Sequence, residues 1–538
     1  MTDRLKFRRL ITSFLFMVLV LPLAACRNDK KGSTNSSLGN STGNSSISLV
    51  EDDTLDDIDQ SVPAIQYAQK QFKNREFVTF PAFTTSPTEA LKANTFLYTE
   101  GISYVLSEDN SHYIVNGFLV GGAGNDVYIK PYIDGIPVTE IASEAFAYRW
   151  FIFNIYIPHT ITDIGAGAFN ACGIQNLYYD GNVDDFLSSN WVFFPQDSAT
   201  STPTQLVQNI DIIIGPNVTR IPGRFMLPIG THTSHVPIVN SLRFCENSKV
   251  TSIGEYAFYN SAKLNELYLP DSLLTIENQA FYGTSIEELY LPDNVTIIGE
   301  QAFMMDDDLS MIRFPASIKN IGYEAFYANK ALEYLDLSET KLETLEDAVF
   351  KECSKLKYVI LPSGLKEINA SVFENDISLI FIDILDDIEI LGQKAFANCQ
   401  SLKYIRLGEN LREIGNECFK NSFNLSRLII KSKEIQDLSP NNKVFLNCGK
   451  ESNNLEVLFT SSVKRIAKRM FFSSALVDES ISIKRLDISK GLTKIDDYAI
   501  YNCRVETFVF NGSDQEFKAI DISTLNELPN KVNCRGGK

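Results

Sequence analysis

The sequence predicts a solenoid, one short unit repeated along an axis with each coil stacked on the last. Two observations carry this. First, a phrase recurs from Glu140 nearly to the C-terminus: Ile-Gly-x-x-Ala-Phe, a small polar residue or Cys three places after the Phe, then Leu-x-Leu-Pro. Ile253-Gly254-Glu255-Tyr256-Ala257-Phe258 and Ile321-Gly322-Tyr323-Glu324-Ala325-Phe326 are two copies. Second, the closing aromatic keeps a fixed spacing, at Phe258, Phe281, Phe303, Phe326, Phe350, Phe373, Phe396 and Phe419, in steps of 23, 22, 23, 24, 23, 23 and 23 residues. A period in the twenties marks units that cannot bury their apolar side alone and stack on their neighbours.

The array is longer than its regular part. It begins with Ile141-Ala142-Ser143-Glu144-Ala145-Phe146, continues at Phe169, and reaches Phe225 after a 56-residue step that must hold an insertion. Beyond Phe419 come Phe445, Phe471 and Ile500, at steps of 26, 26 and 29. That makes about fourteen repeats of roughly 23 residues, thirteen of them with Phe in the anchor slot.

Within a unit the residues assign themselves. Leu267 and Leu269 alternate with Glu266 and Tyr268, the period of a half-buried strand. The Leu side chains point in and the other two point out. Pro270 ends the strand because it lacks the N–H a ladder needs. Leu274 and Ile276 are then expected to turn inward, followed by Ala280 and Phe281. Stacked coil on coil, the Phe rings should form an almost continuous spine. The slot three after the anchor holds Cys172, Ser261, Thr284, Asp306, Asn329, Cys353, Asp376, Cys399, Ser422, Cys448, Ser474 and Cys503. Such side chains can satisfy backbone groups in a tight bend. Arg149 and Pro228 are the exceptions. No two slot cysteines fall in neighbouring coils, and coils two apart are too distant for a disulfide, so these thiols are expected to stay free and buried.

Ahead of the array the chain changes character. Arg4, Lys6, Arg8 and Arg9 precede an apolar run, Leu10 to Leu21, and then Leu23-Ala24-Ala25-Cys26. This is the layout of a secretory signal over residues 1–25. Leu-Ala-Ala-Cys here resembles the lipobox of bacterial lipoproteins, which implies lipidation of Cys26 and a membrane anchor; the alternative is an ordinary cleaved signal with an incidental Cys. Residues 26–50, nearly all Ser, Asn, Thr and Gly between Gly32 and Ser48, read as a flexible tether. Asn35, Asn40 and Asn44 match a glycosylation sequon but read as linker composition. Residues 51–135 are the candidate N-terminal cap, with strand-like runs at Phe96–Tyr98, Tyr104–Leu106, Tyr113–Val115 and Phe118–Val120. Gly121-Gly122-Ala123-Gly124-Asn125-Asp126 fits a calcium-binding β-roll phrase in a single copy, where such sites need tandem copies. The favoured reading is a glycine-rich hairpin turn joining Phe118–Val120 to Val127–Ile129.

The repeat phrase resembles the BspA-type leucine-rich repeats of bacterial surface proteins, over residues 136–510 with an insertion at 178–240 and a C-terminal cap at 511–538. Gly135 to Ile141 resembles the family's lead-in to its first repeat. Tyr178-Tyr179-Asp180-Gly181…Asp185-Phe186 and Phe510-Asn511-Gly512…Glu516-Phe517 resemble its recurring insertion. The resemblance implies a right-handed curved leucine-rich repeat solenoid with a parallel sheet on its concave side, exposed on the cell surface and engaged in adhesion to host, matrix or other-cell proteins or glycans.

Binding would sit on the outward strand positions. One column reads Glu266, Glu288, Met311, Tyr334, Tyr358, Phe381, Tyr404, Arg427; the other includes Tyr268, Tyr290, Arg313, Asp336, Ile360, Asp383, Arg406 and Ile429. The candidate ligand-binding residues are Tyr268, Tyr290, Arg313, Tyr334, Tyr358, Phe381, Tyr404 and Arg406, because exposed aromatics flanked by Arg have hot-spot composition. Aromatics stacked across strands also stabilise a sheet without any ligand, and that reading stays open.

Other functions lose ground. A net charge of −18 opposes binding to phosphate backbones and anionic lipid. His232 and His235 lie in a Pro- and Gly-bearing stretch without partners that would make a metal site. No nucleophile-elbow, P-loop or zinc-protease phrase occurs. The expectation is therefore a binding protein, not an enzyme, without metal or cofactor. Its rivals are an envelope spacer with no specific ligand and an enzyme sited in the insertion between Tyr178 and Val236.

Overall fold

The computed structural model describes residues 101–118, 126–170, 172–187, 192–193, 209–227, 238–472, 481–529 and 532–536. The signal, Cys26, the tether, most of the proposed cap, Gly121–Asn125, His232, His235 and Ser474 lie outside these residues.

The described chain is a leucine-rich repeat solenoid in which successive coils bond to one another along three ladders. The first ladder is the major sheet. Its strands run parallel in chain order: Asp126–Tyr128, Asn154–Ile157, Asn176–Tyr179, Asn209–Ile214 and Ile238–Phe244. Single bridges at Leu242–Leu267 and Glu266–Glu288 carry it on to Glu288–Tyr290 and Met311–Arg313. It resumes from Tyr334–Asp336 through Tyr358–Ile360, Phe381–Ile384, Tyr404–Leu407, Arg427–Ile430, Glu456–Phe459, Ser482–Ile488 and Arg504–Phe510 to Val532–Cys534. Leu267, Leu289, Ile312, Leu335, Val359, Ile382 and Ile405 point inward from it and are buried. That is the alternation the sequence shows.

The second ladder is a column of two-residue strands such as Ser252–Ile253, Thr275–Ile276, Ile297–Ile298 and Asn320–Ile321, paired in parallel. The Gly after the Ile lets coils close up. A Cβ on Gly322 would stand 2.7 Å from the backbone nitrogen of Glu300 in the coil before.

The third ladder runs through the turn that carries the Phe. The N–H groups of Tyr256, Phe258 and Asn260 donate to the carbonyls of Asn278, Ala280 and Tyr282 in the next coil, at 3.0, 2.8 and 2.7 Å. Residues either side of the anchor are left-handed, Tyr256 at φ 57° and Asn260 at φ 56°, which turns alternate N–H groups toward the same neighbour. Asn tolerates this conformation, and it recurs at the second site as Asn375, Asn398, Asn421 and Asn447. The side-chain amides of Asn398, Asn421 and Asn447 link coil to coil, each Nδ2 donating to the Oδ1 of the preceding Asn at 2.7 Å.

The Phe spine is continuous. Adjacent anchors from Phe258 to Phe445 stack nearly parallel with centroids 5.3–5.9 Å apart. The slot residues are buried beneath it. The thiols of Cys172, Cys353, Cys399 and Cys448 donate to the carbonyls of Phe146, Phe326, Phe373 and Phe419, and Ser422 to its own anchor's carbonyl. Cys353, Cys399, Cys448 and Cys503 are free, as the spacing argument requires.

Four expectations need correction. The 56-residue step hides a coil: Phe193 stacks on Phe169 at 5.4 Å and meets Phe225 edge-on at 5.8 Å. Val192 takes the place of the small Ala, its carbonyl accepting from Phe169 N–H at 2.8 Å. The anchors therefore exceed fourteen by one, and much of the 178–240 insertion is solenoid. In the unit, Leu273 rather than Leu274 is buried; Leu274 is 44% exposed. Pro270 to Leu273 is a tight turn closed by Leu273 N–H to Pro270 O at 3.0 Å, so strand alternation does not carry through it. The strands either side of Gly121–Asn125 are not a hairpin pair. Tyr113–Phe118 pairs antiparallel with Ile102–Leu106 and parallel with Ile136–Ile141, whereas Asp126–Tyr128 opens the major sheet against Asn154–Ile157. The coils thus begin at Asp126, ahead of residue 136, because Val127 and Ile129 are buried as a first repeat.

Two irregular segments fit their coils tightly. Phe186 stacks on Phe225 at 6.2 Å, and Arg220 bridges Asp185 and Glu277. At the other end, the helix Asp514–Lys518, closed by a Ser513–Glu516 capping box, lays Phe517 against Phe510 at 5.4 Å. Asp521–Ile522 and Val532–Cys534 then add one strand to each sheet.

Candidate interaction face of the major sheet

The pairing register sets the two outward columns the sequence describes. Tyr334, Tyr358, Phe381, Tyr404 and Arg427 stand opposite one another on five consecutive strands. Asp383, Arg406 and Ile429 form the neighbouring column. Phe381 and Tyr404 stack with centroids 5.3 Å apart and planes at 21°. Tyr358 and Phe381 are half-buried.

The environments differ along the column. Burial pushes the Tyr404 phenol up to about 12, with Asp383 adding to the effect and Arg406 and Arg427 opposing it. Its hydroxyl is buried and meets no hydrogen-bond partner among the described residues. An unsatisfied buried hydroxyl costs about 1–3 kcal/mol. Tyr334 is only 9% exposed, and burial raises its phenol strongly. Tyr268 is 41% exposed, and Tyr290 donates its hydroxyl to Glu288 at 3.0 Å.

The two arginines do not stand as exposed flanks. Arg406 is 8% exposed and grips Asp383 with two hydrogen bonds, Nε to Oδ1 at 2.7 Å and Nη2 to Oδ2 at 3.0 Å. Asp383 occupies the same position one coil earlier, so the coil repeat itself brings the pair together. Arg313 reaches back to Asp293 at 2.8 Å and to the Leu291 carbonyl at 3.3 Å. Bidentate pairing of this kind spends the guanidinium on the fold. Two other cations of the face are exposed: Arg243, in the second column beside Tyr268, and Arg427, directly after Tyr404 in the first column and in no ion pair among the described residues. Sequence reasoning placed Arg427 in the column but not in the site; the missed signal is that no acid sits opposite it one coil back, where Tyr404 stands.

Chemically, the face offers half-buried rings, a stacked aromatic pair and the exposed guanidinium groups of Arg243 and Arg427. No group of three His, Cys, Asp or Glu side chains converges to hold a metal ion among the described residues. No helix among the described residues is long and apolar enough to cross a membrane.

Comparison with known proteins agrees with this architecture. Six copies of the BspA type leucine rich repeat region match residues 129–196, 239–340, 275–389, 326–451, 366–482 and 441–523, together well over half of the chain. Among solved structures, a leucine-rich repeat protein from Bacteroides ovatus is 18% identical, covering 82% of this chain and 99% of its own at a TM-score of 0.43. The pneumococcal vaccine antigen PcpA is 17% identical, with 82% and 98% covered and a TM-score of 0.34. A leucine rich cell surface protein from Faecalibacterium prausnitzii is 18% identical, with 79% and 97% covered and a TM-score of 0.28. No curated protein matches the chain. Proteins built from these repeats are typically surface proteins and scaffolds for interaction, and the chain belongs to the BspA-type leucine-rich repeat family.

Proposed function

We infer that this protein is an exported adhesin-like binding protein that engages a protein or glycan on a host, matrix or neighbouring cell surface through the outward face of its major sheet. The observation that carries the reading is the in-register column Tyr358, Phe381, Tyr404 and Arg427 on four consecutive strands. Rigid aromatic rings beside an exposed guanidinium are the residue types that dominate binding energy at interfaces. A parallel ladder holds them at fixed spacing, so little ordering entropy is lost on binding. Export and anchoring rest on the signal and on Cys26, whose diacylglyceryl thioether would hold the chain at a membrane.

The test is binding of the full mature chain to a panel of matrix proteins, cell-surface glycans and whole cells, beside a Tyr358→Ala/Phe381→Ala variant. Saturable binding that the double variant loses supports the reading. Saturable binding kept in the variant refutes this face as the site, and no binding to any member favours the spacer role. Cys26→Ala, expected to release the protein from membranes, checks the anchor separately.

A further inference from the structure

A second surface lies on the Phe-bearing turns, away from the major sheet. Tyr259 and Tyr282, each directly after an anchor Phe, stack with centroids 4.6 Å apart at 16°. Tyr256 packs against Tyr259 at 5.7 Å, and the Tyr282 hydroxyl donates to Met305 Sδ at 3.0 Å. Met305 is 45% exposed and Tyr323 43% exposed, with Tyr327 half-buried beside them. The turns of four consecutive coils therefore present Tyr and Met side chains, in side-chain contact from Tyr256 to Met305. Nothing in the stacking of coils requires it, since the equivalent positions in later coils are Lys351, Glu374, Ala397 and Lys420.

The strip has a sign. Glu300 and Asp308 beside it are exposed and in no ion pair among the described residues. Two nearby cations are already taken, Arg224 by Glu255 at 3.1 Å and Lys330 by Asp307 at 3.1 Å, and a third, Lys263, is turned to the Asn209 amide oxygen at 3.1 Å. A hydrogen bond to Glu324, with burial and the charges of Glu324, Asp347 and Glu300, raises the Tyr323 phenol. Burial and then Glu352 push Tyr327 up to about 12. The field over the rings is therefore negative. One ring already hosts a cation, with the Arg224 guanidinium 5.3 Å from the Tyr256 centroid.

We propose that this turn-side strip, from Tyr256 to Tyr327, is a docking surface for a cationic segment of a partner protein, whose Lys or Arg side chains lie over the Tyr rings and meet Glu300 and Asp308. Cation–π contact and charge complementarity both favour that occupant. It is distinct from the major-sheet face and would act beside it.

The probe is a fluorescent peptide alternating arginine and leucine, with a glutamate–leucine peptide as its counterpart, titrated onto the full mature chain at physiological salt. Saturable binding of the first peptide alone is expected. Tyr259→Ala/Tyr282→Ala should weaken it roughly tenfold or more, for two lost cation–π rings. Glu300→Gln/Asp308→Asn removes charge without touching a ring, guards against a folding defect, and should weaken it by roughly threefold or more. Glu434→Gln/Glu506→Gln makes the same charge change at exposed sites elsewhere and should leave affinity within about twofold. Tyr358→Ala/Phe381→Ala should leave it unchanged, which separates this proposal from the major-sheet reading. The proposal is overturned by absence of saturable binding, by equal binding of the acidic peptide, by equal loss in the distant charge variant, or by loss in the major-sheet variant.

Discussion

Phe326→Ala tests the spine at an enclosed point in its regular part. The ring is fully buried, stacked between Phe303 at 5.4 Å and Phe350 at 5.6 Å, with Phe314 edge-on at 5.5 Å. Removing a buried Phe side chain costs about 3–5 kcal/mol in transfer and cavity terms. Three ring partners, each worth about 0.5–1.5 kcal/mol beyond area, push the expectation to the upper end, about 4–5 kcal/mol. The backbone bonds survive, because Phe326 N–H still donates to the Val349 carbonyl and Phe303 N–H to that of Ala325. The damage is therefore local to one junction in a one-dimensional array, where stability sums nearest-neighbour terms. Equilibrium denaturation should show the transition split or shift, and hydrogen exchange should show the turns of the flanking coils losing protection before the array ends. A loss under about 1 kcal/mol, with exchange unchanged around Phe303 and Phe350, would refute the stacked-spine account.

Further outcomes follow from the same structure. Phe193→Ala should cost roughly 3 kcal/mol or more, whereas a Phe in a plain surface insertion would cost almost nothing; chemical denaturation decides between them. Cys245, Cys353, Cys399, Cys418, Cys448 and Cys503 are buried and free, with burial pushing Cys448 and Cys503 up to about 12. They should resist thiol reagents in the native protein and all react once it is unfolded without reductant; an unfolded, unreduced chain with none of them reactive contradicts the structure. Burial pushes Asp306 up to about 7, against bonds from Thr284 and the Ile286 N–H that favour its charge. Its folded form keeps a proton that the unfolded chain has already released, so stability should fall as pH rises from the ordinary carboxylate range to about 7. Asp306→Asn should remove that slope, gaining on the order of 4 kcal/mol at about pH 8 and little at about pH 4 in denaturant melts. An unchanged slope in the variant would show that Asp306 is ionised in the fold.

What the sequence made legible is what the coil repeat enforces. The anchor Phe must meet another ring a coil away, so its period is written openly. Phe193 escaped because Asn190-Trp191-Val192 hides the phrase, although Val349-Phe350 and Val372-Phe373 show that Val can hold the Ala position. Leu274 was misassigned by extending a period of two through a proline turn, where the inward residues, Leu273 and Ile276, fall three apart. The Gly121–Asn125 stretch read as a hairpin because local pattern says nothing about a chain that leaves one sheet for another. At the site, the columns were legible but their electrostatics were not. Arg406 looked like a flank until its partner one coil back, Asp383, was placed against it at 2.7 Å.

The three ladders explain why the outward columns carry information at all. Along the described ladders each strand and turn backbone is met by its neighbours, and the inward strand positions from Leu267 to Ile405 are apolar. The outward positions are under no such demand, and across the first column they vary from Glu288 and Met311 to Arg427. A run of aromatics there needs a separate reason. Cross-strand stacking supplies one for Phe381 and Tyr404 but not for Tyr358, which makes no ring contact among the described residues. Tyr358→Ala alone should therefore change stability by less than about 1 kcal/mol, the scale of an exposed cross-strand pair. If it also lowers affinity for a ligand found in the binding panel, the ring is there for the partner. If it costs several kcal/mol in a melt and leaves affinity intact, the column serves the sheet and the binding site lies elsewhere.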